Sequence, residues 1–93
     1  MMLITFYNDP ETDLPHIYDH GVNEQEIYEV FRRSPLQLLG REGTMLALGQ
    51  TEAGRYLKVI YRRKPREILI ITAYDLRGKE LSAYRRRKRR HHE

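Results

Sequence analysis

The sequence predicts a single-domain α+β fold in the element order β-α-α-β-β-β-β-α, and three observations predict it. Ile27, Val30 and Phe31 recur at i, i+3 and i+4 behind a capping signal, which marks one amphipathic helix. From residue 36 onward the apolar period becomes that of strands. Gly and Pro stand at the joints between the segments so defined. Short connections make the four later strands an antiparallel meander. The expected architecture is therefore an antiparallel sheet of four to five strands with the helices packed on one face.

Residues 3–7 are β-branched and aromatic and end at Asn8-Asp9-Pro10, a turn signal, so they form a short first strand. Pro15 suits the first position of a helix and Gly21 the position just past its end. The turn or two between them carries His16 and His20 on one face. Asn23 with Glu26 three residues on is a capping-box pattern for the second helix, which Ser34-Pro35 stops. Residues 36–40 and 44–49 read as strands joined by Arg41-Glu42-Gly43. Residues 55–61 alternate, with Leu57, Val59 and Tyr61 on one face and Tyr56, Lys58 and Ile60 on the other. A basic turn, Arg62-Arg63-Lys64-Pro65, leads to residues 67–73. Their nearly continuous apolar run predicts a central strand buried on both faces. Gly78 precedes a last helix that runs from about Lys79 into the basic tail.

The 93 residues fit one domain with a modest core, residues 1–84, followed by a basic tail, 85–93. Residues 1–84 hold 11 Lys and Arg against 12 Asp and Glu, whereas 85–93 hold six against one. The net charge of +4 is thus a property of the run Arg85-Arg86-Arg87-Lys88-Arg89-Arg90. Such a run suits a nucleic acid or an acidic partner, or is simply a solvated helix end. The absence of cysteine excludes disulfides, zinc-thiolate sites and thiol catalysis. No stretch approaches the roughly 20 apolar residues that cross a bilayer, and residues 1–6 lack the features of a signal peptide. A cytoplasmic location away from membranes is expected.

No Gly-rich phosphate loop, dinucleotide fingerprint or Gly-x-Ser-x-Gly elbow occurs, and no small-molecule cofactor is expected. His16 and His20 have a spacing that suits a metal, but Ile17 stands where a zincin motif has Glu. They read as packing or surface residues. No metal site is expected, at the terminal His91 and His92 included.

Three segments together carry a resemblance. The first is Pro15-His16-Ile17-Tyr18-Asp19-His20-Gly21-Val22 with Glu26-Ile27 and Glu29-Val30. The second runs from Leu46 through Gly49-Gln50-Thr51-Glu52-Ala53-Gly54-Arg55 to Leu57. The third is Ile70-Ile71-Thr72-Ala73-Tyr74-Asp75-Leu76, then Lys79-Glu80 and Tyr84-Arg85-Arg86. In order and spacing, over residues 15–86, the chain resembles the BrnT-type toxins and their relatives of unknown function. The resemblance implies a RelE-like fold and metal-independent endoribonuclease action on cellular RNA. It also implies a neutralising antitoxin, often a ribbon-helix-helix DNA-binding protein, as in a type II toxin-antitoxin system. Tyr74 departs from the family, which carries Arg at that place, and Asp19 stands where a lysine is common. A tyrosine cannot supply positive charge to a phosphate, though its hydroxyl donates and its ring stacks on bases.

Metal-free cleavage of RNA uses the substrate's 2′-hydroxyl as nucleophile. It needs a proton acceptor, a proton donor and cations around the phosphorane. On that scheme Arg55 and Arg85 hold the phosphate with Lys58 assisting. His20, by its intrinsic pKa, or Glu80 accepts the proton. Tyr74 and Tyr84 stack on bases or donate. The turn Arg62, Arg63, Lys64 and the run Arg85, Arg86, Arg87, Lys88 grip the backbone. Each has a plainer reading: Glu80 pairing with an Arg, Arg55 on an exposed strand, His20 at a helix end, Tyr84 as a packing residue i+3 from Leu81. Two rival functions follow from the same residues. One is a catalytically weak nucleic-acid-binding module, which Tyr74 favours. The other is an interaction protein whose tail takes an acidic partner.

Overall fold

The computed structural model describes residues 3–91, with side chains to Lys88. Arg89 and Arg90 of the basic run therefore contribute only their backbone, and His92 and Glu93 lie outside the described residues. The elements are β1 (Leu3–Phe6), a 3-10 helix (His16–His20), α1 (Glu24–Arg32), β2 (Leu36–Leu39), β3 (Met45–Gln50), β4 (Tyr56–Arg63), β5 (Glu67–Asp75) and α2 (Gly78–His91). The chain is α+β, and its one sheet has the order β1-β5-β4-β3-β2. No helix among the described residues is long and apolar enough to cross a membrane.

The capping box forms as its residues require. The Asn23 side chain accepts from the Glu26 amide at 2.9 Å, and the Glu26 carboxylate accepts from the Asn23 amide at 3.1 Å. Ile27 and Val30 of α1 and Ile17 of the 3-10 helix then bury against Ala47, Leu57, Val59, Tyr61, Ile68, Ile70 and Ala73. Gly49 lets α1 approach: a Cβ there would meet Val30 Cγ1 at 2.9 Å and Pro35 Cβ at 3.3 Å.

Three expectations are corrected. The sheet is mixed, because β1 pairs parallel to β5, with Leu3 opposite Glu67 and Phe6 opposite Ile70. The helical segment crosses from one edge of the sheet to the other and starts β2 at the end where β1 leaves. Three antiparallel reversals later, β5 points the same way as β1. The helices also occupy both faces. Tyr84 and Leu81 of α2 pack with Leu48, Tyr56, Leu36 and Leu38, whose side chains leave the strands on the side away from α1. Lastly, β5 is fully buried only at Ile68, Ile70 and Ala73. Its other face is half-buried because α2 covers just the end of the sheet near Tyr56.

One irregularity sets which face of the sheet Tyr74 joins. Tyr61 pairs with Ile70 but Ile60 pairs with Thr72, so Ile71 is an extra residue, a β-bulge. The bulge reverses the alternation of β5. Tyr74 then lies opposite Lys58 on the α2 side, and Ala73 opposite Val59 in the main core.

Candidate functional site

β1 pairs with only the first half of β5, so the edge of β5 beyond Ile70 is left to the 3-10 helix. Gly21 closes that helix in the left-handed conformation (φ 69°), where glycine carries no steric cost. This brings the His20 ring to 5.6 Å from the Tyr74 ring, centroid to centroid. Across the ladder, Lys58 Nζ lies 5.6 Å from the centre of the Tyr74 ring. It also donates to Glu80 Oε2 at 2.7 Å, in the first turn of α2. Four of the sequence candidates, His20, Tyr74, Lys58 and Glu80, thus come together from four separate elements or their ends. Glu80 holds the Lys58 ammonium pKa above its ordinary value, so Lys58 is a cation and not a proton acceptor. Lys58 is sheltered, at 15% side-chain exposure, whereas Glu80 is 58% exposed.

A shallow cavity of about 430 Å³ opens beside this group, lined by His20, Tyr74, Asp75 and Arg77. Arg77 is 80% exposed and donates to Asp75 Oδ2 at 3.1 Å. Sequence reasoning passed over Arg77. The signal for it was its place three residues past Tyr74, just before α2. On the same face as Tyr74, two residues back in the strand, the Thr72 hydroxyl is buried with no hydrogen-bond partner among the described residues.

Arg55 is placed elsewhere, and its donors are in use. Nε donates to Asp75 Oδ1 at 2.7 Å, Nη1 to the Gly21 carbonyl at 2.8 Å and to both Glu26 oxygens at 3.1 Å, and Nη2 to the His20 carbonyl at 3.3 Å. The Asp75 carboxylate raises the Arg55 pKa, and Arg55 in turn holds the Asp75 carboxyl below its ordinary value. The guanidinium therefore ties the 3-10 helix, α1 and β5 together behind the cavity, with little left for a phosphate. Tyr84 is likewise a core residue, 7% exposed and edge-on to Tyr56 at 6.0 Å; burial raises its hydroxyl pKa.

The basic run continues α2, so the division at residue 84 coincides with no element boundary. Its residues divide by helical period. Arg85 stacks over the Tyr56 ring at 5.0 Å, and Lys88 donates to Gln50 Oε1 at 3.3 Å, both leaning on the sheet. Arg86 and Arg87 are exposed. A larger groove of about 680 Å³, lined by Arg33, Pro35, Leu36, Tyr84, Arg87 and Lys88 among others, runs beside this end of the helix. It offers cations and apolar surface but, unlike the smaller cavity, no imidazole or carboxylate. Arg62, Arg63 and Lys64 sit at the far end of β4, where Arg62 donates to the Glu42 carbonyl and Arg63 to Gln37. They do not join the α2 surface.

Compared with known proteins, the chain matches no protein-family model and, at a significant level, no curated protein and no solved structure.

Proposed function

We propose that this protein is a metal-independent endoribonuclease of the toxin type, held in check by a cognate antitoxin. The observation that carries the reading is the chain of contacts His20–Tyr74–Lys58–Glu80 beside a cavity lined by His20, Tyr74, Asp75 and Arg77. The sequence resemblance to the BrnT-type toxins and the α+β element order support it. In the proposed reaction the substrate's 2′-oxygen bonds to phosphorus as the bond to the 5′-oxygen breaks. A 2′,3′-cyclic phosphate and a 5′-hydroxyl result. His20 takes the 2′-hydroxyl proton, since an imidazole ring nitrogen can accept one. Tyr74 stacks on a base or donates to the leaving oxygen. Arg77 and Lys58 stabilise the charge on the phosphorane, in place of the Arg55 of the sequence reading. Glu80 orients Lys58. Exposed Arg86 and Arg87 lie about 9–11 Å along the helix from Glu80 at 1.5 Å per residue, where they would hold flanking phosphates.

The second reading, a nucleic-acid-binding module without cleavage, is favoured by one observation. Arg55 is committed to carboxylates and carbonyls, and Tyr74 brings no charge. Controlled expression in bacteria separates the two. The wild type should arrest growth and degrade bulk RNA, and co-expressed antitoxin should relieve the arrest. His20→Gln and Arg77→Ala, both surface substitutions that leave the Arg55 contacts in place, should restore growth and RNA integrity. Intact RNA under soluble, folded wild type would overturn the nuclease reading in favour of the binding module.

A further inference from the structure

Outside the cavity, a second cluster assembles on the loop between β1 and the 3-10 helix. His16 Nδ1 stands 3.3 Å from Asp9 Oδ2 and 3.4 Å from Asp19 Oδ2, and the three ligand atoms all lie within 4.8 Å of one another. We propose that Asp9, His16 and Asp19 form a divalent-metal site of the zinc class that fastens this loop to the 3-10 helix.

His16 Nδ1 and Asp9 Oδ2 are at the long end of hydrogen-bond distance, a spacing that also suits two ligands of one metal ion. Charge-assisted N–H···O bonds close to about 2.7–2.9 Å. Two ligands of a tetrahedral ion with bonds of about 2.0–2.1 Å stand roughly 3.3–3.4 Å apart. Both imidazole-to-carboxylate separations fall at that edge length. A neutral imidazole also donates through Nδ1 to only one acceptor, so without a cation two carboxylates face each other across it with one proton at most between them.

The backbone presents these groups without help from the ion. Asn8 and Pro15 form a β-bridge, the His16 amide donates to the Tyr7 carbonyl at 3.0 Å, and the Asp9 amide to the Leu14 carbonyl at 2.8 Å. The loop is therefore closed, and Asp9 and His16 are brought side by side. Asp9 Oδ1 accepts from the Glu11 amide at 2.9 Å, which turns Oδ2 toward His16. Such a bond to the non-ligating oxygen is the outer-shell support that metal carboxylates commonly have. In a 3-10 helix of three residues per turn, side chains at i and i+3 eclipse, which stacks His16 over Asp19. The His16 ring also packs edge to face on the His20 ring, 5.9 Å between centroids, as the sequence spacing predicts. One imidazole and two carboxylates suit zinc, cobalt or manganese rather than calcium, which takes oxygen ligands alone. Three protein ligands leave a fourth position for water, and an ion held by them would join Asp9 of the loop to His16 and Asp19 of the 3-10 helix.

The test is titration of Co²⁺ and then Zn²⁺ into the full chain carrying His91→Ala and His92→Ala, which removes the terminal histidines as competing ligands. One ion per chain should bind, with visible cobalt d–d bands and a rise in Tm of several degrees at a large excess over Kd. His16→Ala, Asp9→Asn and Asp19→Asn should each weaken binding by roughly 10- to 100-fold or more. Circular dichroism of each variant reports folding; if His16→Ala fails to fold, the half-exposed Asp19→Asn decides. Absence of binding at 100-fold molar excess, or binding unchanged by these substitutions in folded protein, would overturn the site. Because the His16 ring packs against His20, RNA cleavage is scored separately, with the wild type in metal-free buffer, so that failure of the metal site and failure of the nuclease reading are distinguishable.

Discussion

Replacing Arg55 with alanine distinguishes a phosphate ligand from a clamp. In the structure the guanidinium serves two carboxylates and two backbone carbonyls drawn from the 3-10 helix, α1 and β5. Its side chain is 28% exposed, with Glu26 at 20% and Asp75 at 28%. Hydrogen bonds to charged groups contribute about 1.5–3 kcal/mol each, and partial exposure screens that gain. Truncation leaves Asp75 with Arg77 alone and Glu26 with its capping role. The net cost is therefore about 2–3 kcal/mol. For a domain of this size that is a fall in Tm of roughly 10–20 °C, read by calorimetry or circular dichroism. Arg55→Lys should recover less than half, since one ammonium cannot span four acceptors.

The pH dependence has a definite sign. The Asp75 carboxyl is held below the ordinary value of 3.8, so its contribution to stability is present above that pH and is lost as pH falls through its folded-state value. The gap in Tm between wild type and Arg55→Ala should thus be full at pH 7 and narrow below about pH 4. On the proposed nuclease reading, RNA cleavage measured at 15 °C, where the variant is folded, should persist. A variant with Tm within about 2 °C of wild type and no cleavage would refute the clamp and return Arg55 to the phosphate.

Further outcomes follow from the same contacts. Asn23→Ala removes one half of the capping box and should cost about 1 kcal/mol in urea unfolding, with Asn23→Gly costing less. Gly49→Ala forces a Cβ against Val30 and Pro35 and should destabilise by about 1–3 kcal/mol, a penalty that Val30→Ala in the same chain partly relieves. Affinity for single-stranded RNA should fall steeply with salt, and Arg86→Ala with Arg87→Ala should reduce the log–log slope by about 1.4. Arg62→Ala with Arg63→Ala, at the other end of β4, should change that slope little.

Much of the fold is local in origin and was legible. The Asn23-to-Glu26 spacing, the stripe through Ile27 and Val30 and the alternation of residues 57–61 each report a period or a cap, and each produced the element it signals. Pro15 and Gly21 bracketed a helix correctly, but not its pitch. Five residues between them close as a 3-10 helix, which keeps the His16 and His20 rings edge to face at 5.9 Å and also brings Asp19 to 3.4 Å from His16. The candidate site was legible in part. His20, Lys58, Tyr74 and Glu80 were named from the sequence, and the structure brings them together. Arg77 was overlooked, Arg55 is spent on holding elements together, and Tyr84 is packed.

What decided those points is long-range. The sequence by itself determined which segments are strands and helices, because propensity, capping and apolar period act within a few residues. Only the tertiary structure decided that β1 runs parallel to β5, since that direction depends on where the helical crossover delivers the chain. It alone put α2 on the face opposite α1, where the outer side chains of β3 and β4 needed cover. It also placed the bulge at Ile71. An unbroken alternation would have sent Tyr74 to the same face as Ile70, into the main core. One extra residue in the β5 ladder turns it toward Lys58 instead, and that register is set by the neighbouring strand and not by β5 itself.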